Sequence, residues 1–512
     1  MLLKLLGGLL GAKRRAAPPG ALDDRSPEEG LRNEAEALER AGRLDDALER
    51  YRAWAHLDPR AVDAWLGAGN VLADRWSIPE ALEAYRAALR LRPDSPTILS
   101  GILFFSHYLT PADPATLFDL HRRYGEMMRR RHPPRAGATA VAPDPGRRIR
   151  VGYVSPNFSR HSVGYFIAPV IAAHDRRRFE VYCYYTHRLS DDATARIRAS
   201  ADGWRDVATA SDDALDALIR DDRIDVLVDL SGHCKGNRLA VFARKPASLQ
   251  VTWLGYPDTT GLDAIDVRIT DGIADPAPEA DARHTERLWR VDGTFLAYEP
   301  PPDSPAIGAR RGGMPVVFGS FNHAAKLNEP TITLWAEILA RVPESRLVLK
   351  SGLFDHAVTR DRVVECFERH GVAVERIEVE GWRADRASHL SLYGEIDIAL
   401  DTYPYNGTTT TCESLWMGVP VVSRAGRVHM SRVGTSILRC AGLDELVADS
   451  DAQYVERAVA LARDERRRTV LRATLRDRLR ASPLLDHAGF TQRLEQCYLR
   501  CLRTGRDDDR AD

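Results

Sequence analysis

Directly after the apolar run Ile396-Asp-Ile-Ala-Leu400, residues 401–413 read Asp-Thr-Tyr-Pro-Tyr-Asn-Gly-Thr-Thr-Thr-Thr-Cys-Glu. The pattern is strand, loop, helix. Asn406-Gly407 supplies a tight turn, and Thr408 to Thr411 set hydroxyls beside the unpaired N–H groups that open the next helix. Backbone donors, the positive end of the helix dipole and the threonine side chains of Thr408, Thr409 and Thr410 converge on a negative group, and a diphosphate fits without a metal. Glu413, within the first turns, is placed to accept hydrogen bonds from ribose hydroxyls, as an acidic residue does in nucleotide folds.

Working outward, short apolar runs alternate with helical stretches. Val316–Phe321, Arg346–Lys350, Ile377–Val379, Ile396–Leu400 and Val419–Val422 predict one parallel sheet within residues 313–485. Arg150–Ser155, Phe179–Tyr185, Asp225–Leu230 and Gln250–Gly255 predict another within 148–300, with a helix over Tyr165–Ala173. Two α/β lobes separated by Pro300, Pro301 and Pro302 describe an enzyme with a cleft between lobes, where small ligands favour binding. The last helix, 486–502, is expected to cross back to the first lobe.

Upstream, residues 31–98 repeat with a period of 34: Ala47 matches Ala81, Leu48 Leu82, Tyr51 Tyr85, Leu57 Leu91 and Pro59 Pro93. That period reads as tetratricopeptide helical hairpins, each burying its face only by stacking on the next. The array with its capping segment Ile102–Met128 is expected over 28–130, and the Pro/Arg-rich stretch Arg131–Arg148 reads as a linker. Residues 1–27 are expected to form a disordered leader and 503–512 a disordered tail. The leader's apolar run, Met1–Gly11, is too short to span a bilayer.

The composition is that of a soluble globular chain: 44% apolar, 28% charged, with a net charge of -1 among 512 residues. No global field attracts nucleic acid, so any anion site must be built locally. Seven cysteines lack paired metal-ligand spacing and a disulfide pattern. Cys497 and Cys501 share a helix face, as packing residues.

Several long motifs then become recognisable. Val151-Gly-Tyr-Val-Ser-Pro-Asn-Phe-Ser-Arg-His-Ser-Val-Gly164, Leu227-Val-Asp-Leu-Ser-Gly-His233, Trp253-Leu-Gly-Tyr-Pro257, Phe318-Gly-Ser-Phe-Asn322 with Lys326, and Asp401–Trp416 resemble the O-linked N-acetylglucosamine transferase family, including its SPINDLY-type and bacterial members. The resemblance implies an α/β GT-B fold: two Rossmann-like lobes behind an all-α tetratricopeptide array. It further implies an inverting mechanism and donor binding mainly by the second lobe. Lys326 matches the lysine that stabilises the leaving diphosphate. It is one of only six lysines among 72 basic residues, and a compact ammonium suits one developing phosphate charge. Arg386 and His389 match positions that hold the base and ribose. His161 matches a histidine facing sugar and acceptor, as base or as positioning group. His233 is a second catalytic candidate, and Gly255, Tyr256 and Pro257 resemble the sugar-pocket loop, where backbone clearance matters. His323 and Thr408 stand where the human-type enzyme has Gln and His, and Asn157 where the family often has Asp.

Together these readings predict a cytoplasmic glycosyltransferase that moves a sugar, N-acetylglucosamine from UDP-GlcNAc, onto Ser/Thr hydroxyls of proteins. It needs no cofactor beyond the nucleotide sugar and no metal. The expected partners are an acceptor protein, bound through the repeats and cleft, and the nucleotide sugar, with no nucleic acid and no transmembrane segment. Two alternatives stay open: transfer of another sugar, such as fucose from GDP-fucose or a flagellin sugar, and a catalytically decayed repeat scaffold.

Overall fold

The computed structural model describes residues 26–109, 113–135, 146–308 and 313–504. The expected leader up to residue 25, the core of the linker (136–145) and the tail from 505 lie outside them. The chain divides into two compact units, Met1–Ala112 with Pro315–Asp385, and Asp113–Met314 with Arg386–Asp512.

In the first unit, helices Pro27–Arg40, Leu44–Leu57, Val62–Asp74 and Ile78–Leu91 form two hairpins, followed by Pro96–Ser106. The 34-residue period is visible in the packing. Tyr51 and Tyr85 are buried, and a Cβ on Gly67 would lie 2.2 Å from the Tyr51 ring, so the small residue is what lets these helices approach. The expected capping segment comprises two helices. Asp113 accepts from the N–H groups of Ala115 and Thr116 and starts a separate helix, Pro114–Arg131, which belongs to the second unit.

The second unit contains a seven-stranded parallel sheet. Its strands are β1 (Ile149–Ser155), β2 (Phe179–Tyr185), β3 (Gly203–Asp206), β4 (Val226–Asp229), β5 (Leu249–Thr252), β6 (Val267–Asp271) and β7 (Arg287–Val291). They lie in the order β3-β2-β1-β4-β5-β6-β7. Strand order reverses between β1 and β4, so the loops leaving their carboxyl ends, which carry His161 and His233, gather at the switch point where such sheets bind ligands. β3, β6 and β7 were not foreseen.

The second α/β segment contributes to both units. β8 (Val317–Ser320), β9 (Arg346–Lys350) and β10 (Ile377–Glu380) pair in parallel within the first. β11 (Ile398–Leu400), β12 (Val421–Arg424) and β13 (Val447–Ala448) do so within the second. The final helix, His487–Thr504, packs on the first lobe: Glu495 meets His174 at 2.9 Å, and Phe490 stacks on Trp253.

Helix Pro114–Arg131 sits close against the loop that follows β5. A Cβ on Gly125 would lie 1.7 Å from the Gly261 carbonyl oxygen, and Gly261 is itself left-handed at φ +75°. We expect Gly125→Ala to lower stability by about 1–3 kcal/mol, read as a lower urea midpoint at unchanged slope.

Candidate active site

The loop after β11 is organised by Asp401, which is buried. Its Oδ1 accepts from the N–H groups of Thr402 (3.0 Å) and Gly407 (2.7 Å), and its Oδ2 from the Ser423 hydroxyl (2.6 Å). Asn406, also buried, donates to the Thr402 carbonyl. These bonds deliver the chain to helix Thr409–Trp416, with Thr408 at its N-cap making no side-chain capping bond. The hydroxyl of Thr411 is spent on the Gly407 carbonyl, and Tyr393 donates to the Thr410 carbonyl. The Thr409 hydroxyl is buried with no hydrogen-bond partner among the described residues.

Glu413, 4% exposed, sits one turn further on. One carboxylate oxygen is 3.1 Å from His389 Nε2 and the other 3.8 Å from the Arg386 guanidinium. The structure thus brings three predicted residues together. It also changes the expectation for Glu413, whose oxygens face protein partners and leave only the remaining lone-pair directions for a ribose. Arg386 lies flat on Tyr165, its Cζ 3.5 Å from the ring centroid, and its Nε and Nη2 are buried without hydrogen bonds among the described residues. Burial, with Glu413 nearby, pushes the Tyr298 and Tyr393 phenols well up, so both are neutral donors. Tyr165, Tyr393 and Asp401 were missed in the sequence because their roles depend on neighbours far along the chain.

His161 caps helix Ser162–Ala173 with its ring. Nδ1 accepts from the Val163 N–H at 3.1 Å, and burial lowers the imidazole to about 4. The ring is therefore neutral with its proton on Nε2, leaving a donor where a general base was one of two expectations. Nδ1, one of the two nitrogens a base would use, is engaged by the helix cap.

His233 is more enclosed. It is 3% exposed, its Nε2 lies 2.9 Å from the Thr260 carbonyl, and its ring packs edge-on against Tyr124 and Tyr256. A Cβ on Gly255 would sit 2.0 Å from the Leu230 carbonyl oxygen, so the backbone clearance expected at Gly255-Tyr256-Pro257 is real. The Tyr256 hydroxyl pairs with His121 Nε2 at 2.9 Å. Below them Asp229, at the end of β4, is pushed up to about 6 by burial, against hydrogen bonds from Gly232, Thr252 and Ser231. It too was missed.

In the first unit, the chain leaves β8 into the turn Ala324–Lys326. His323 caps that turn as His161 caps its helix, with Nδ1 accepting from the Ala325 N–H at 3.2 Å. Burial and then the Lys326 charge lower it to about 3, so it also presents an Nε2 proton. Ser351 accepts from the Ala324 N–H and ties the turn to the end of β9. Among the described residues, one group of possible metal ligands, Glu329, Cys366 and His370, brings an atom from each within 4.8 Å of the others. Both ring nitrogens of that histidine have partners, the Cys366 carbonyl and the Thr333 hydroxyl.

Comparisons with known proteins agree on the class of this architecture: a glycosyl transferase preceded by helical repeats. Residues 131–299 and 309–494 match glycosyl transferase family 41, and residues 32–96 match a tetratricopeptide repeat. The chain belongs to glycosyl transferase family 41. It is 39% identical over 429 residues to a Petunia hybrida protein named probable UDP-N-acetylglucosamine–peptide N-acetylglucosaminyltransferase SPINDLY, covering 82% of this chain and 46% of that one. It is 29% identical to the corresponding Arabidopsis thaliana protein SEC, over 79% of this chain and 43% of that one. The chain spans about half the length of the curated relatives it matches. A solved mutant of the Thermobaculum terrenum O-GlcNAc transferase is 40% identical, with a TM-score of 0.86 over 93% of this chain and 91% of that one. The fold expected from the sequence, two Rossmann-like lobes behind an all-α repeat array, is therefore the fold of the chain. No helix among the described residues is long and apolar enough to cross a membrane.

The two capping histidines make stability depend on pH. Each takes a proton near 6.5 when unfolded but only near 4 (His161) or 3 (His323) when folded. The unfolded chain therefore binds protons first, and stability present above about 6.5 is lost as pH falls toward 4. Asparagine caps helices equally well without titrating. We expect His161→Asn to flatten the fall in melting temperature across that window relative to wild type.

Proposed function

We propose that this chain transfers a sugar from a nucleotide diphosphate donor, UDP-GlcNAc being the first candidate, to Ser/Thr hydroxyls of acceptor proteins. The observation that carries the reading is the Arg386–His389–Glu413 cluster, half-buried around the buried Glu413, beside the start of helix Thr409–Trp416, where the Thr409 hydroxyl and the Arg386 Nε have no hydrogen-bond partner among the described residues. A nucleotide supplies what that cluster lacks: ribose hydroxyls for the carboxylate and phosphate oxygens for the Thr409 hydroxyl, Arg386 and the helix N–H groups. The names of the family 41 relatives support the same donor and acceptor class.

In the proposed reaction the acceptor oxygen attacks the anomeric carbon, the bond from that carbon to the diphosphate breaks, and the diphosphate leaves with the bonding electrons. Lys326 neutralises the charge developing on it. His161 and His323 donate hydrogen bonds through Nε2, and the hydroxyl proton passes to a base other than His161 Nδ1. The repeats take part in holding the acceptor, and the setting is cytoplasmic. Because ammonium, guanidinium and helix terminus together replace a cation, no metal is required.

Lys326→Ala is expected to lower kcat for peptide glycosylation by about 10²–10³, with full retention of activity counting against the mechanism. Transfer should continue in EDTA; loss on chelation, restored by manganese, would show that a cation is needed after all. A thermal-shift panel of UDP, GDP and CMP tests the donor. UDP is expected to give the largest stabilisation, and a larger shift with GDP would move the assignment to a guanosine-linked sugar such as GDP-fucose.

A further inference from the structure

The internal repeat offers its own reference for one unusual residue. Helix Pro27–Arg40 ends with Gly42 in the left-handed conformation at φ +74°, with Arg43 N–H returning to the Leu38 carbonyl. Helix Val62–Asp74 ends in the same way, with Ser77 N–H returning to the Leu72 carbonyl, but the left-handed position 34 residues on from Gly42 is Trp76, at φ +59°. Glycine occupies such positions without strain, whereas a bulky residue there costs on the order of 1 kcal/mol and persists only where its surroundings hold it.

What holds Trp76 lies in the α/β segment of the same unit. Its indole N–H donates to the Leu327 carbonyl at 2.5 Å. Leu327 is the residue after Lys326, and its N–H closes the turn Ala324–Lys326 by donating to the Ala324 carbonyl. Two residues before the tryptophan, the Asp74 carbonyl accepts from the Thr359 hydroxyl at 2.7 Å, so the end of the repeat helix is pinned from a second direction. A side-chain hydrogen bond from the repeats to the residue that closes the lysine turn therefore comes from a residue placed against its backbone preference.

We propose that Trp76 is a positioning residue for Lys326, and that the repeat array is thereby part of the donor machinery as well as an acceptor platform. The inference rests on the reading of Lys326 as the group that neutralises the leaving diphosphate. With the indole bond in place, the Lys326 turn has its following carbonyl fixed, and the ammonium does not have to be ordered at the moment of transfer. The tryptophan touches no reacting atom.

The test measures release of nucleotide from the donor in the full chain without any acceptor, which separates this role from peptide docking. Trp76→Phe removes the N–H and keeps the ring. It should lower kcat about three- to tenfold at unchanged donor KM, and should add no further loss in a Lys326→Ala background. Trp76→Gly, which suits the left-handed backbone, should lower kcat as well. A wild-type kcat in either variant, or an equal loss from Trp76→Phe in the Lys326→Ala background, overturns the proposal. If Lys326→Ala is itself as active as wild type, the reading of the lysine falls instead.

Discussion

A single buried carboxylate determines where the helix that follows β11 begins. Asp401 ends the run out of β11 and accepts hydrogen bonds from two backbone N–H groups and one hydroxyl, while its own carbonyl receives the Tyr454 phenol at 2.9 Å. Buried carboxylates persist only when so satisfied, and each bond here also fixes a piece of chain. The Gly407 bond sets the turn and hence the first N–H groups of helix Thr409–Trp416. Ser423 ties the same carboxylate to β12, and Gly434 must lack a Cβ because one would fall 2.6 Å from Oδ2. The position of Glu413 relative to His389 and Arg386 follows from that start.

The strand, loop and helix around residues 396–416 and the 34-residue repeat were legible because both are local signals: an apolar run ending in turn residues, and a recurrence of small and aromatic positions. β6 and β7 were not, and their residues explain why. β6 reads Val-Arg-Ile-Thr-Asp, and an arginine in a central parallel strand argues against burial. Yet Arg268 is 2% exposed and donates to the carbonyls of Tyr256 and Asp258, so its charge is used to hold the loop that follows β5. β7, Arg-Leu-Trp-Arg-Val, is an edge strand whose two buried residues, Leu288 and Val291, lie on opposite faces, so no period-two alternation marks it. The start of β12 slipped by two residues because Val419 and Pro420, apolar like the strand, precede its first ladder position.

Site residues divided along the same line. The family resemblance nominated His161 and His323, and its place at a strand end nominated His233, but nothing in a sequence says which ring nitrogen is occupied. In His161 and His323 a cap two residues long consumes Nδ1, and a proton acceptor becomes a donor. In His233 a carbonyl 27 positions away and two tyrosine rings enclose a side chain that sits at a strand end. Tyr165 is the converse case. It reads as one more apolar position of a helix, and only its approach to Arg386, more than 200 residues later, joins it to the cluster around Glu413.

Polar ties also explain why the second α/β segment is shared between two units. Residues 315–385 are bound to the repeats through Trp76 and Leu327 and through Thr359 and Asp74. Residues 386–512 are bound to the first lobe by a buried set around the end of β6: His429 meets Asp275 at 2.7 Å, Ser436 donates to Asp271 at 2.6 Å, and Arg432 donates to the Ile273 carbonyl at 2.6 Å. Despite its burial, the neighbours led by His429 hold the Asp275 carboxyl far below its ordinary range. Such partners cannot be separated cheaply, since either one left alone would be a buried unpaired charge. Each portion of the segment is therefore committed to its own neighbours, Lys326 and His323 with the repeats, and Arg386, His389 and Glu413 with the helix that His161 caps.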